Sequence, residues 1–545
     1  MPGINTARSW LEAFFGRAGD TATLFADNAL WRDYLAFEWD LRTHEGTAAL
    51  QAAIPKQPCF PTAEIEQIAP REFIFKFDGP HGHCRGLLEL EDGQCTRLFT
   101  SLEDMGMADP ISEEAEPQVI VIGGGQSGLA LGARLADQGV PYLIVEQNDR
   151  VGDNWRHRYD SLVLHDPAWV NHLPFKPFPH DWPAYTPKNM MGNWLEDYAD
   201  SLSLNVACGT KLTTARFDES DGLWTVQLTT PDETKALRVP HIVFAVGTSG
   251  FAHTPDFPSA DMFTGQQMHS SAYASGAEFT GKNVAIVGAT NSAHDIAVDL
   301  VKHGAKPTLI QRSSTHVVPH QVYVEDILGA LYSQESGNSL ARSDFLSLAT
   351  PMRRLEERAR ALFGKVQQDW AGFYDGLRST GFAVDFAEDG TGIVGKYRRS
   401  ASGYYIDVGG SQRVMDGEIA IRSGVGVDRL DTRGIILSDG SHLPSDAVIY
   451  ATGFGSMEEW VARLIDTKTA QKIGRCWGYG SGFRGDPGPW EGELRNMWKP
   501  TAQQGLWFMG GNLAQVRMYS HYLALQLRKN CSHAAVGRID QCVAT

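Results

Sequence analysis

Basic residues are scarce in this 545-residue chain: 48 Lys and Arg stand against 65 Asp and Glu, a formal net charge of −17. Such a balance argues against nucleic acid and anionic membrane surfaces, both of which call for basic patches. Paired cysteines are missing as well. The seven cysteines (Cys59, Cys84, Cys95, Cys208, Cys476, Cys531 and Cys542) are an odd number, irregularly spaced and without a C-x-x-C pair. That pattern reads as reduced thiols and disfavours a disulfide framework or a disulfide reductase. No apolar run approaches the ~18 residues of a spanning helix, and no basic-then-apolar leader opens the chain, so a soluble cytoplasmic protein is expected. A metal centre finds no support either. His81-Gly82-His83-Cys84 lies in an alternating, strand-like stretch with no further ligands nearby in sequence, and a site needs three or four that converge.

What is present is the composition of a globular enzyme, 42% hydrophobic and 21% charged, in a chain long enough for two to four domains. Residues 1–110 read as a separate α+β unit. Ser9–Phe15 has helical spacing, Thr47–Ile54 a short helix, and Glu72–Phe77, Cys84–Leu90 and Cys95–Leu102 alternate like strands, the last two joined by an Asp92-Gly93 hairpin turn. With Leu30-Trp31-Arg32-Asp33, this unit resembles the cone-shaped fold of nuclear transport factor and ketosteroid isomerase. Trp31 and Asp33 are candidates to line a pocket there, although an appended cone more often supports dimerisation or shields a neighbour, so a homodimer through this unit is compatible with the reading. The acidic stretch Met107–Pro117 reads as a linker.

From residue 118 the pattern becomes α/β, with continuously apolar strands alternating with helices as in a parallel sheet covered on both faces. Two glycine-rich strand-to-helix turns lie about 165 residues apart. The first, Gly123-Gly124-Gly125-Gln126-Ser127-Gly128, follows the strand Gln118–Ile122. Its spacing assigns Gly123 to the tight turn, Gly125 to close approach of a pyrophosphate and Gly128 to helix–strand packing. The helix start offers N–H groups and a positive dipole end to phosphate, and Glu146, at the end of the next strand and followed by Gln147, suits a ribose. The second turn, Gly288-Ala289-Thr290-Asn291-Ser292-Ala293, has threonine in the second glycine's place, which is expected to crowd a pyrophosphate unless the loop shifts. Arg312 ends the following strand where a carboxylate would mark NAD; a guanidinium there suits the ribose phosphate of NADP. The charged Arg353–Arg360 segment, inside a helical stretch over 320–400, reads most simply as a solvated helix face.

Four further segments carry a family resemblance. Gly152-x-x-Trp155…Arg158-Tyr159…Leu162…Leu164-His165 is similar to the flavin-proximal segment of flavin-containing monooxygenases. Phe263-x-Gly265-x-x-x-His269-Ser270-x-x-Tyr273 matches their fingerprint, in which sister Baeyer–Villiger enzymes end on Trp. Ala451-Thr452-Gly453-Phe454 and Gly505–Leu513, with Asn512, resemble the return of the chain over the flavin. The Leu164-His165 pair, where amine and sulfide oxidisers carry asparagine, is shared with the plant auxin-forming branch, which oxygenates an α-keto acid.

The resemblance implies an α/β fold of two dinucleotide-binding, Rossmann-like domains, the NADP domain inserted in the FAD domain. Its parts would be 118–265 and 451–545 for FAD and 274–450 for NADP, with the substrate pocket built over 320–400. It implies FAD and NADPH as cofactors, O2 and a small molecule as substrates, and monooxygenation through a C4a-hydroperoxyflavin, on nitrogen, on sulfur or on an α-keto acid. His165 is the candidate catalytic side chain beside the flavin, and packing against the ring is an equal alternative; His269 is expected to position the domains. A Baeyer–Villiger enzyme, a non-oxygenating NADPH oxidase or flavin reductase, and a non-enzymatic role remain as alternatives.

Overall fold

A computed structural model describes residues 2–16, 23–54, 60–112, 114–248 and 250–531, without the side chains of 60–63. Cys59, Cys542 and the last part of the expected FAD return, 532–545, lie outside the described residues.

The first 104 residues build a six-stranded sheet in the spatial order Leu41–Glu45, Phe25–Tyr34, Gln94–Asp104, Gly82–Glu91, Glu72–Gly79, Phe60–Ala69, antiparallel except for the pairing of Phe25–Tyr34 with Gln94–Asp104. Asp92 and Gly93 both take positive φ, as a two-residue hairpin turn of this hand requires. Strand periodicity sorts the side chains onto two covered faces. Trp31 faces the helix Ile4–Gly16, where Phe14 meets it edge-on at 5.4 Å and Phe15 meets Phe77 at 4.9 Å. Arg32, Tyr34, Phe99 and Ser101 face the other way and contact the rest of the chain: Phe99 packs on Phe345 and Ser101 Oγ lies 2.8 Å from the Tyr522 hydroxyl. Burial of both faces explains why six consecutive residues of Phe25–Tyr34 are covered.

Two five-stranded parallel sheets follow. The first has the order Leu506–Phe508, His241–Phe244, Val119–Ile122, Tyr142–Val145, Val206–Ala207; the second has Gln266–His269, Ala447–Tyr450, Asn283–Val287, Lys306–Gln311, Ala420–Ser423. The second sheet is completed before the chain adds Leu506–Phe508 to the first, so one is nested within the other. Strands Val119–Ile122 and Ala447–Tyr450 are buried throughout, the consequence of helices on both faces. A π-helical turn, Val322–Leu328, and the helices Leu340–Leu348, Met352–Asp369, Ala371–Ser379 and Gly392–Ser400 fill the stretch over 320–400. The helix Leu513–Cys531 packs along Gln126–Asp137 and closes the first unit.

The Arg353–Arg360 segment departs from the solvated face expected of it. Its cations are exposed or half-buried, but Glu356 is buried and receives hydrogen bonds from Tyr479 (2.6 Å) and Arg399 (2.6 Å). Trp31 and Asp33 likewise serve the interior. Trp31 Nε1 donates to Thr100 Oγ1 (2.8 Å), which donates to Asp33 Oδ1 (2.5 Å), while Asp33 Oδ2 accepts the N–H groups of Phe37 and Glu38. Burial pushes the Asp33 carboxyl up to about 7, and both its oxygens are engaged by protein donors. Among the described residues no group of His, Cys, Asp and Glu could hold a metal ion, and no helix is long and apolar enough to cross a membrane.

Candidate active site between two nucleotide turns

The first turn is shaped by contacts that only glycine permits. Gly123 has φ +108, and an added Cβ would stand 2.7 Å from the Ala245 carbonyl oxygen; at Gly128 it would stand 1.9 Å from that of Gly123. Gly125, extended at φ −80, caps the helix Gln126–Asp137 without a side chain over the exposed N–H groups. Glu146 is buried, its Oε2 accepting Gly124 N–H (2.7 Å) and its Oε1 accepting Asn148 N–H (2.8 Å), so the carboxylate is tied to the turn. Gln147 beside it is exposed. Ser127 Oγ is buried with no protein partner. An unpaired hydroxyl at a helix N-terminus, beside a glycine cradle, is chemically suited to the phosphates of a dinucleotide. The set therefore fits FAD.

The second turn has the same backbone. Gly288 takes φ +133, where an added Cβ would stand 2.4 Å from the Ala451 carbonyl oxygen, and Thr290 caps the helix Asn291–Lys302 in the extended region (φ −112, ψ −166), as Gly125 does in the first turn. Threonine is unstrained there, because an extended φ suits β-branched residues; what it adds is bulk. Asn291 Oδ1 is engaged by Ile406 N–H (2.9 Å). Arg312 is exposed just past the strand Lys306–Gln311.

A cavity of about 1120 Å³ joins the two turns. Gln126, Trp155, Leu164 and His165 line it from the first unit, Thr290, Asn291 and Ser292 from the second, and Thr452, Gly453 and Asn512 from the returning chain. Gly123, Gly125, Ser127, Gly128, Glu146, Gln147, Gly152, Gly288 and Arg312 are not among the lining residues. Gly152 (φ +87) lies 2.1 Å, measured from an added Cβ, from Gly192 O, which fixes it as glycine. Trp155 Nε1 donates to Gln126 Oε1 (3.2 Å), tying the two segments that meet at the first turn. Asn512 caps the helix Leu513–Cys531 reciprocally: its Oδ1 accepts Gln515 N–H (2.9 Å) and Gln515 Oε1 accepts Asn512 N–H (3.2 Å). Tyr397 then donates to that same Gln515 Oε1 (2.6 Å).

Across the cavity His165 Nε2 stands 3.3 Å from Asp295 Oδ2, and Tyr159 donates to the same oxygen at 2.7 Å. Burial alone would lower the His165 pKa, but the Asp295 carboxylate reverses the effect and holds it above the ordinary histidine value. Neighbouring Asp166 is pushed up by burial, partly offset by the hydrogen bond from Tyr323 (2.5 Å). The fingerprint histidine, by contrast, is neutral and bridging. His269 Nδ1 accepts Ser271 N–H (3.1 Å), leaving Nε2 to donate to Gly453 O (2.9 Å), and burial lowers its pKa. It thus links the strand Gln266–His269 to the loop that carries Thr452 and Gly453. Tyr273, the last fingerprint residue, donates to Asp299 Oδ2 (2.7 Å) and stacks on Phe279. Sequence reasoning missed Asp295, Tyr323, Arg358 and Arg398, all lining the cavity. Only Asp295 carried a signal, in the first turns of the helix that the second glycine-rich turn opens.

The comparisons agree with this geometry. The model of the pyridine nucleotide-disulphide oxidoreductase family matches residues 120–330. The indole-3-pyruvate monooxygenase YUCCA1 of Oryza sativa subsp. japonica is 31% identical over 371 residues, which cover 67% of this chain and 84% of the relative. The chain belongs to the flavin-containing monooxygenase family. It is a flavin-dependent oxidoreductase, and FAD and NADPH are the cofactors of such an enzyme. Solved structures share the fold at low identity. The flavin-containing monooxygenase of Stenotrophomonas maltophilia aligns over 76% of this chain and 98% of its own with TM-score 0.50 and 20% identity. Cyclohexanone monooxygenase of Rhodococcus sp. Phi1 aligns over 77% and 85% with TM-score 0.52 and 16% identity.

Proposed function

We propose that this protein uses NADPH and O2 to oxygenate a small organic acid of the α-keto acid class. The observation that carries the reading is a pair of guanidinium groups in the cavity. Arg358, on the helix Met352–Asp369, and Arg398, on Gly392–Ser400, line it without an ion-pair partner among the described residues; Arg398 makes one long bond, to Val394 O at 3.3 Å. Partial burial lowers the pKa of both, an effect that Glu72 and Glu89 oppose at the more exposed Arg358. Tyr397, Tyr404, Ile393 and Leu355 line the same cavity. Arg398, half-buried at the cavity wall without a carboxylate partner, favours an anionic ligand, and an amine substrate would meet repulsion from it instead. The rice relative is an indole-3-pyruvate monooxygenase, and it shares with this reading a keto acid as substrate.

The roles of the turns follow from their geometry. Gly123, Gly125, Gln126, Ser127 and Gly128 would receive the FAD pyrophosphate at the helix N-terminus, with Glu146 and Gln147 at the adenosine ribose and Gly152, Trp155 and Leu164 toward the ring. Gly288, Thr290, Asn291 and Ser292 would hold NADPH, and Arg312 its ribose phosphate through paired charge-assisted bonds. Thr452, Gly453 and Asn512 close the site. FAD, when bound, supplies hydride acceptance and oxygen activation. His165 would hold a proton at Nε2 against Asp295 at the meeting point of the two units. The test is turnover: aromatic α-keto acids should stimulate coupled NADPH and O2 consumption and yield an oxygenated product, whereas alkylamines should not. Equal stimulation by neutral amines or sulfides would overturn the assignment of substrate.

A further inference from the structure

Among the contacts that join the N-terminal sheet to the rest of the chain is a buried ion pair. Arg32 and Glu493 are 3% and 5% exposed in their side chains. Arg32 Nε and Nη2 donate to the two Glu493 oxygens at 2.7 and 2.6 Å, and Glu493 also accepts from Tyr34 (2.8 Å) and Thr43 (2.6 Å). The remaining nitrogen of Arg32, Nη1, donates to the carbonyls of Leu348 (2.6 Å) and Thr350 (3.0 Å), and Arg97 Nη1 reaches Ala349 O at 3.4 Å. These three carbonyls follow one another at the C-terminus of the helix Leu340–Leu348, where the last carbonyls have no intrahelical donor and carry the negative end of the dipole. Two guanidiniums from another part of the chain thus cap this helix.

The capped corner is also cavity wall. Ser347 and Thr350 line the cavity, and after Pro351 the chain enters the helix that presents Leu355, Arg358 and Leu362 to it. We infer that Arg32 is a positioning residue for the substrate cavity: by capping Leu348 and Thr350 while clamped to Glu493, it sets where the Met352–Asp369 helix places its cavity side chains. This makes the N-terminal unit an integral wall support of the monooxygenase, in place of a detachable appendage. The inference deepens the function proposed above and rests on it only for the choice of substrate probe.

The experiment uses the full-length, FAD-loaded protein with phenylpyruvate as the probe. Variants are Arg32→Lys, which keeps the charge but not the four-bond fork, and the double variant Arg32→Met with Glu493→Leu, which removes both charges together so that neither is left buried alone. Expected for each is a KM for phenylpyruvate raised roughly tenfold, the size of one lost charge-assisted hydrogen bond. The rate of flavin reduction by NADPH should stay unchanged. Hydrogen exchange should rise over residues 345–362 and stay constant over 119–137. That exchange readout needs no substrate, so wild-type protein that ignores phenylpyruvate refutes the keto-acid reading while leaving this inference testable. Should Arg32→Lys fail to fold, the double variant decides. Unchanged exchange over 345–362 and unchanged KM in a folded, FAD-loaded variant would overturn the inference, as would an equal loss of flavin reduction and substrate affinity.

Discussion

Gly128→Ala probes the first turn most sharply. The added Cβ would stand 1.9 Å from Gly123 O and 3.1 Å from its carbonyl carbon, where unstrained non-bonded contacts lie near ~3.5 Å. The obstructing atoms are backbone and cannot rotate aside, so the start of the helix Gln126–Asp137 must withdraw from the strand Val119–Ile122 by more than about 1 Å, in an interior packed too densely to absorb it. Overpacking costs about 1–3 kcal/mol, and a backbone obstruction belongs at the upper end. Because the displaced turn is the one proposed to hold the FAD pyrophosphate, about 3 kcal/mol becomes roughly a hundredfold loss of FAD affinity at about 1.4 kcal/mol per decade. Flavin content after gel filtration, followed by fluorescence titration of the apoprotein with FAD, measures it. Gly364→Ala in the helix Met352–Asp369 is the control: nothing lies within 4 Å of its added Cβ, and a gain of about 0.5–1 kcal/mol is expected from backbone entropy. A Gly128→Ala protein that keeps FAD as tightly as the parent would refute the reasoning.

Asp295→Asn removes the charge that holds the His165 pKa above its ordinary value, leaving burial dominant. Because that pKa is raised, the pair stabilises the protein fully below about pH 6.5 and loses its contribution as pH rises through the folded value. The variant should lose this acid-side stabilisation, and the His165 limb of the pH–rate profile should move to lower pH; a superimposable profile would count against the pair. Arg398→Met should raise KM for keto acids about ten- to a hundredfold, the range of a hydrogen bond to a charged group, while neutral analogues of the same shape are unaffected. Arg312→Ala should weaken NADPH by about ten- to a hundredfold and leave NADH within about twofold, measured as KM in steady-state reduction.

Which parts of the molecule are legible in the sequence follows from the range of the forces involved. Gly128 is dictated by the nearby Gly123 carbonyl and Gly123 by its own positive φ of +108, both local requirements, so the spacing of the glycines shows the turn. The Asp92-Gly93 hairpin is equally local. The strand Phe25–Tyr34 is not legible: it carries Asp27, Arg32 and Asp33, and it buries Arg32 only because Glu493 waits 461 positions away. Glu356 reads as solvated for the same reason, since its partners Arg399 and Tyr479 are distant in sequence. The His165–Asp295 pair joins two nucleotide units, and no periodicity in either segment announces it. Thr290 shows the converse. Its substitution for glycine suggests a damaged turn, yet an extended φ of −112 accepts threonine without strain, and only the dihedral angle reveals that.

Rapid mixing of the NADPH-reduced, FAD-loaded protein with O2, with flavin absorbance recorded on the millisecond scale, tests the central claim most directly. The account predicts a transient flavin species distinct from both the reduced and the oxidised forms, whose decay is hastened by an α-keto acid with formation of an oxygenated product. Direct return to oxidised flavin with one H2O2 released for each NADPH, or no reduction of the flavin by NADPH at all, would contradict it.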